Sequence, residues 1–281
     1  MIDYPQLLLL GAFAGLTIFL GLPLAIAQGV SSRKKGFLNA TAIGILVFLI
    51  VDVLGHAWEP VSDAASGAFV GKASLEVAVL DLLAMFGGLA IGLLGLAWYG
   101  RRYMNETTRA QLSNGRTSAE KKESQIMRQV DAYRLSMMIA VGIGVHNFSE
   151  GLVIGQSYAS GAMGLAVILI VGFAAHNATE SFGIAAPLTG LEKKPSIRFL
   201  IGVGLVGGGP TFAGTLLGSQ WTSAPVYILF LAVAGGALIY VSMLMYNSGR
   251  KKTTNDVLMV GFFVGLFAGF VTDLIVTLGG V

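Results

Sequence analysis

Two copies of one five-residue pattern lie in an apolar part of the sequence. Residues 141–155, VGIGVHNFSEGLVIG, place His146 four positions before Glu150, and VGFAAHNATESFGIAAP repeats the pattern with His176 and Glu180. Residues i and i+4 share one face of a helix, so each imidazole projects beside its carboxylate. Two imidazoles and two carboxylates form a four-ligand site for a divalent cation of the zinc or iron type.

A single pair of this kind has a second interpretation, because a histidine and a glutamate can form a structural hydrogen bond between two membrane helices. Two copies at similar depth are hard to explain by packing alone, and ionisable groups inside a membrane indicate function. The pattern therefore favours a metal or proton site without identifying the ion. The metalloprotease pattern His-Glu-x-x-His is absent. Cysteine is absent as well, which excludes thiolate ligands.

The chain around these patterns has the composition of a membrane protein. Of its 281 residues, 54% are hydrophobic and 12% are charged, whereas soluble domains carry about 25% charged residues. Eight apolar stretches reach the roughly 20 residues that a helix needs to cross a bilayer. The sequence therefore predicts an all-α integral membrane protein with eight transmembrane helices. The predicted spans lie near residues 5–28, 37–58, 75–99, 134–158, 162–188, 197–218, 223–246 and 257–279.

The basic residues predict the orientation of these helices. Of 18 Lys and Arg, 17 lie in or beside the linkers after helices one, three, five and seven, and Lys72 lies on the other side. Cytoplasmic loops carry the excess of Lys and Arg, so both termini are expected outside, in a multi-pass protein of the plasma membrane. Residues 100–131 are then a cytoplasmic loop, disordered or partly helical, within one transmembrane domain over residues 1–281. Topology accounts for the basic runs, so no nucleic-acid partner is expected.

Further polar residues fall toward the predicted outer side. Asp52, His56 and Glu59 follow one another along the second helix, and Asp81 and Asp273 lie in the third and eighth. Together they could form an acidic vestibule that attracts cations and leads to the metal pathway. For Asp81 the alternative is a solvated charge at a helix N-terminus.

The sequences HNFSEG and HNATESFGIAAPL resemble the fourth and fifth helices of the Zrt/Irt-like (ZIP) divalent metal transporters, with their His-Asn-x-Pro-Glu-Gly and His-x-x-Pro-Glu-Gly motifs. The eight helices, the outward termini and the long loop after helix three also resemble that family. The resemblance implies a bundle in which helices 1–3 and 6–8 are inverted halves around helices 4–5. It implies metal ligation by His146, Glu150, His176 and Glu180.

The same resemblance matches Asn147 and Asn177 with positions that serve a second, neighbouring metal site in the family. This sequence departs from the family pattern at Ser149 and Thr179, which replace the prolines, and at Thr211, which aligns where the family usually has a glutamate. With fewer carboxylates, one tightly held metal per chain is expected. The run Gly207-Gly208-Gly209-Pro210 predicts an interrupted helix, with close packing through small residues as the alternative.

The function that follows is transport of divalent transition-metal cations such as zinc, iron or manganese into the cytoplasm, through a His/Glu site between helices four and five. Zinc or iron is favoured as the substrate, and no organic cofactor and no enzymatic activity are expected. Two alternatives stay open, an intramembrane metal-dependent hydrolase and a proton-conducting membrane protein. The expected partners are membrane lipid and divalent metal ions, and a homodimer is left open.

Overall fold

The computed structural model describes residues 3–26, 31–112, 118–159, 161, 163–220, 223–250 and 253–278. Over these ranges the chain forms helices and turns, without a described strand. The α-helices are α1 Tyr4–Leu16, α2 Ser32–Phe69, α3 Leu75–Leu112, α4 Ser118–Ala159, α5 Met163–Ala185, α6 Ile197–Gly218, α7 Ala224–Gly249 and α8 Asn255–Leu278. Short 3-10 segments continue α1, at Thr17–Leu20 and Leu22–Ile26, and α5, at Ala186–Leu188.

Seven helical segments are long and apolar enough to cross a membrane, judged on the described residues: α1 with its 3-10 extension, α2, α3, α4, α6, α7 and α8. Helix α5 is not among them; several of its side chains lie outside the described set, and its 23 residues give a length of roughly 35 Å. The predicted all-α membrane fold is confirmed. Because α3 continues to Leu112 and α4 begins at Ser118, the predicted loop 100–131 is helical in its described parts.

Local sequence signals set several helix ends. The Ser196 hydroxyl caps α6 by accepting from the Phe199 N–H at 3.2 Å, and the Ser31 hydroxyl caps α2 by accepting from the Lys34 N–H at 3.3 Å. These bonds satisfy first-turn donors that lack a partner within the helix. After α2, Gly71 takes a φ of 72°, a left-handed conformation that suits glycine and reverses the chain into α3.

The helices pack as two inverted halves. Exchanging α1 with α6, α2 with α7, α3 with α8 and α4 with α5 maps most packed helix pairs onto other packed pairs. The α2–α8 pair becomes α7–α3, the α4–α7 pair becomes α5–α2, and the α1–α5 pair becomes α6–α4. The predicted arrangement of helices 1–3 and 6–8 around helices 4–5 is thereby confirmed.

The strongest packing groups the same helices into two bundles. Helices α1, α4, α5 and α6 form one, here called the site bundle, and α2, α3, α7 and α8 form the other, here called the companion bundle. Helices α4 and α5 provide most of the interface, through contacts with α7, α8 and α2. At this interface the Phe148 ring lies 4.7 Å from the Phe230 ring, between centroids.

Glycines bring paired helices close together within each bundle. A Cβ at Gly144 or Gly151 of α4 would collide with a backbone carbonyl of α6, and one at Gly208 of α6 would collide with the Gly15 carbonyl of α1. Small residues allow this backbone approach in membrane helices. Helix α6 is continuous from Ile197 to Gly218, through Pro210. The prediction of an interrupted helix is wrong, and its glycine run serves close packing.

Successive linkers alternate between two ends of the bundle. The linkers with most of the Lys and Arg lie at one end, here called the basic end. There the Lys35 ammonium donates to the Gly190 carbonyl at 3.1 Å, which joins the start of α2 to the α5–α6 linker. At the opposite end the Tyr158 hydroxyl of α4 donates to Gln6 Oε1 of α1 at 3.0 Å.

Candidate metal centre

Helices α4 and α5 bring one imidazole and two carboxylates together. His146 Nε2 lies 3.2 Å from Glu150 Oε1, one turn along α4, and 3.6 Å from Glu180 Oε1 on α5. One ligand atom from each residue lies within 4.8 Å of the other two. Ligands of a tetrahedral zinc, each about 2.0–2.1 Å from the ion, are roughly 3.3 Å apart. The two histidine–carboxylate separations therefore match those of atoms that share one ion.

This cluster is buried inside the bundle. His146 is 3% exposed, Glu150 5% and Glu180 0%. Both Glu180 oxygens and Glu150 Oε2 accept no hydrogen bond from the described part of the chain. Carboxylates that are buried without compensation cost several kcal/mol each. A divalent cation bound here would supply that compensation, because Coulomb attraction is strong where water is scarce.

The fourth expected ligand, His176, is placed only through its backbone. It belongs to α5 four residues before Glu180, so the two positions share a helix face. Its side chain lies outside the described residues. His176 as a ligand therefore stays a prediction.

Asn147 and Asn177 link all four helices of the site bundle. Asn147 Nδ2 donates to Asn177 Oδ1 and, at 2.9 Å, to the Gly207 carbonyl of α6. Asn177 Nδ2 donates to the Ala14 carbonyl of α1 at 3.0 Å. Both amides are fully buried. Both asparagines were predicted as ligands of a second metal. Their amide nitrogens and Asn177 Oδ1 form interhelical hydrogen bonds instead. Asn147 Oδ1 accepts no hydrogen bond from the described chain.

Thr211 is fully buried on α6, where α1 and α4 meet that helix. A Cβ at Gly15 would approach the Thr211 Cβ to 3.3 Å, and a Cβ at Gly151 would collide with the Thr211 carbonyl. Thr211 lies one turn beyond Gly207, the acceptor of Asn147. Its hydroxyl has no hydrogen-bond partner among the described residues. The position expected to hold a carboxylate in the family therefore presents a neutral oxygen.

The helices at the cluster are regular despite the replaced prolines. The Ser149 hydroxyl donates back to the Val145 carbonyl at 3.4 Å, inside an uninterrupted α4. Helix α5 likewise continues through Thr179. His146 and Glu150 therefore keep the one-turn spacing that lets them share an ion.

An apolar layer closes the cluster toward the basic end. Ile143 precedes His146 by one turn of α4, and Ile184 follows Glu180 by one turn of α5. The layer consists of fully buried side chains from four helices: Leu46, Ile139, Ile143, Ile184 and Val203. A hydrated ion has no polar partner in this layer.

Toward the opposite end, α2 presents a polar line. Asp52 lies at the bundle interface, because its neighbour Val53 packs in one apolar cluster with Val145 of α4, the neighbour of His146. Its side chain is 17% exposed, while that of His56, one turn further along α2, is 59% exposed. His56 Nδ1 lies 3.5 Å from Asp52 Oδ1. Glu59 follows and is exposed, so the polar groups lead from the buried cluster toward the surface.

Comparison with known proteins identifies the family of the chain. A family model described as ZIP zinc transporter matches residues 101–277 of the chain. The chain belongs to the ZIP family. The human zinc transporter ZIP10 is 25% identical to this ZIP chain over 163 residues, which are 54% of the chain and 19% of that relative. The chain therefore spans about a fifth of the length of the curated relative it matches.

The two remaining acids of the predicted vestibule occupy different surroundings in this ZIP chain. Asp81 on α3 is 2% exposed, unlike the exposed His56 and Glu59. Asp273 on α8 is half-buried. Neither joins the group of metal-ligand atoms found among the described residues. A vestibule role for both stays a prediction.

Tyr227 is the residue near the site that the sequence analysis missed. It lies in the first turn of α7 and packs against the apolar cluster that includes Val53 and Ala57, the α2 neighbours of Asp52 and His56. The signal was weak: Tyr227 is the sole polar side chain within residues 224–239, and an aromatic near a helix end is also typical of the membrane interface. In this ZIP chain it adds a hydroxyl from the companion bundle near the line from Asp52 to Glu59.

Proposed function

We propose that this ZIP-family chain transports divalent transition-metal cations across the membrane and binds them at His146, Glu150 and Glu180. The buried cluster carries the proposal, since its ligand atoms lie within 4.8 Å of one another between membrane helices. The chemistry assigned is binding and release, so the protein acts as a transporter. His176 completes the ligand set, because its backbone position puts it on the Glu180 face of α5.

Zinc or iron is the favoured substrate. Imidazole with carboxylate oxygens suits zinc and ferrous iron, and the absence of cysteine from the sequence removes the soft ligands that select copper. We expect one ion per chain. Two dications bring a charge of +4, whereas Glu150 and Glu180 supply −2 and the asparagine amides are neutral.

The proposed route begins at the opposite end of the bundle. The line of Asp52, His56 and Glu59 attracts cations and passes them to the cluster. Tyr227 lies beside this line. The apolar layer blocks release toward the basic end in this conformation. With the basic end in the cytoplasm, as the Lys and Arg distribution predicts, the net movement is into the cell.

Release requires the cluster to move past the apolar layer. The cluster belongs to the site bundle, whose helices are joined by glycine contacts and by the Asn147–Asn177 bonds. The companion bundle has glycine contacts of its own, as at Gly88 and Gly92 of α3 against α7. We infer that the two bundles move as units against each other, with the interface of α4 and α5 as the moving surface. The metal gradient and cytoplasmic metal buffering drive the flow.

Purified protein in liposomes tests the function. Zinc, ferrous iron, manganese, cobalt and nickel compete for uptake, and the Glu180→Gln variant serves as the inactive control. We expect saturable uptake of zinc or iron by the unmodified chain and none by the variant. Metal binding without uptake, or metal-dependent turnover of a substrate in the same vesicles, would favour the hydrolase alternative.

The direction of transport has its own test. Reporters at residue 115 and at the C-terminus are read in whole cells, and the proposal expects the first inside and the second outside. The reverse pattern contradicts the proposed orientation while leaving the metal centre intact.

A further inference from the structure

A cavity of about 310 Å³ lies at the basic end between the first turns of α2 and α8. Both helices begin at this end and run parallel; the Phe48 and Phe270 rings pair further along, 5.0 Å apart. Close backbone packing of Phe37 against Gly261 forms the contact beside the cavity. The cavity is lined by Arg33, Lys34, Phe37, Asp256, Val257 and Val260.

The lining has two chemically different parts. Arg33 and Lys34 are exposed, and neither takes part in an ion pair that the structure describes. Phe37, Val257 and Val260 form an apolar wall. Asp256 contributes one negative charge, so the mouth keeps a net positive charge. In the sequence, Lys35 precedes Phe37, and Arg250, Lys251 and Lys252 precede α8.

The apolar wall continues into the lipid-facing surface of α8. Val260 is 57% exposed, and Val264, Phe267 and Val271 follow at helical spacing with exposures of 39%, 60% and 37%. These large apolar side chains have room for a hydrocarbon chain along the helix. The cavity therefore joins a cationic mouth at the membrane surface to an apolar track inside the membrane.

We propose that this cavity binds an anionic phospholipid. The phosphate lies between Arg33 and Lys34, and one acyl chain follows Phe37, Val257, Val260 and the α8 track. Basic pockets between membrane helices bind anionic headgroups in this way. The site lies away from the metal centre and does not depend on the proposed transport function.

A free phosphate ion would use the cationic mouth but would leave the apolar wall in contact with water. A zwitterionic lipid of equal chain length would use the wall but would gain less from the cations. The proposal therefore predicts that charge and hydrocarbon are both needed, and the experiment separates the two contributions.

The test uses full-length purified protein in a neutral detergent and follows its thermal unfolding as lipid is titrated. Phosphatidylglycerol, phosphatidylcholine with identical chains and inorganic phosphate are the three probes. We expect stabilisation by phosphatidylglycerol at the lowest concentration. Replacing Arg33 and Lys34 by glutamine should weaken its apparent affinity about fivefold for each cation and roughly 25-fold together.

Two matched variants separate the cavity from general surface charge. Lys193→Gln with Lys194→Gln removes two exposed cations of another linker at the same end and should leave the affinity unchanged. Val260→Trp fills the apolar wall with Arg33 and Lys34 intact and should weaken lipid binding, whereas Leu274→Trp, exposed at the far end of α8, should not. Equal losses in both cation pairs, an unaffected Val260→Trp variant, or equal stabilisation by inorganic phosphate would each overturn the proposal.

Discussion

Glycines bring helices close together in both bundles, but the two bundles differ in the polar side chains that they bury. Among the described residues, the companion bundle buries few polar side chains, namely Asp81, Ser242 and Thr272. The site bundle and its linkers bury many more, and these include His146, Glu150, Glu180 and both asparagines. Both bundles expose large apolar side chains, such as Phe263 and Phe267 of α8 and Leu205 and Phe212 of α6.

This difference indicates that the two bundles have different roles. Exposed apolar faces hold both bundles in the lipid, and the buried contacts of the companion bundle are mainly apolar. The hydrogen bonds of Asn147 and Asn177 stay inside the site bundle, whereas the cluster carboxylates and the Thr211 hydroxyl lack described hydrogen-bond partners. Movement of the site bundle against its neighbour would keep the Asn147 and Asn177 bonds intact, and such bonds are expensive to lose inside a membrane.

The largest effect should come from removing carboxylates of the site bundle. We predict that Glu150→Ala and Glu180→Ala each abolish uptake and lower metal affinity by more than roughly 100-fold, because the loss of an outer-shell partner alone costs 10–100-fold. Flux and metal binding are measured on reconstituted protein. Asp273→Ala and Asp81→Ala in the companion bundle are the controls and should change apparent affinity more than maximal flux. Normal uptake by both glutamate variants would contradict the assigned site.

The second prediction concerns movement between the bundles. A Cβ built on Gly142 of α4 lies 3.5 Å from the Ala237 Cβ of α7, which fits a disulfide. The chain has no cysteine of its own, so a Gly142→Cys, Ala237→Cys variant can form a single crosslink. Oxidation should stop uptake while leaving metal binding, and reduction should restore it.

Each single-cysteine variant controls for the substitution itself. Full uptake by the crosslinked protein, with the disulfide confirmed by mass spectrometry, would show that the bundles do not move at this interface.

Much of this arrangement was predictable from sequence, and the misses share a physical cause. Hydropathy identifies the membrane helices because lipid acts on each segment separately, and the direction that the charge distribution predicts stays a prediction. The spacing of His146 and Glu150 predicts a shared face for the same local reason. The Asn147–Asn177 bonds, the packing of the α6 glycines and the approach of Tyr227 depend on partners up to 163 residues away, as in Asn177 to Ala14. No local pattern specifies such partners.

The third prediction concerns the number of metal ions bound per chain, because the site bundle has a neutral threonine at the position of a family carboxylate. The unmodified chain should bind one zinc per molecule. Thr211→Glu should allow a second, because it adds a carboxylate on α6 beside the α4 helix that carries Glu150, and Asn147 Oδ1 remains available as a neutral ligand. Calorimetric titration gives the stoichiometry, with Ser242→Glu as a control that adds an acid to the companion bundle. Two equivalents in the unmodified chain would show that neutral oxygens suffice.

The smallest expected effect separates bonded from unbonded buried polar groups. Asn147→Ala and Asn177→Ala each remove an interhelical donor, and such bonds contribute about 0.6 kcal/mol on average and up to roughly 1.7 kcal/mol in membrane proteins. The Ser242 hydroxyl of the companion bundle is buried without a described partner, so Ser242→Ala should be nearly neutral.

Unfolding is measured on metal-free protein, which excludes any effect of lost ligation. Because the two amides bond to each other, the double variant should lose less stability than the sum of the single variants. Additive losses, or single losses no larger than that of Ser242→Ala, would mean that the asparagines do not hold the site bundle together and would return them to the role of metal ligands.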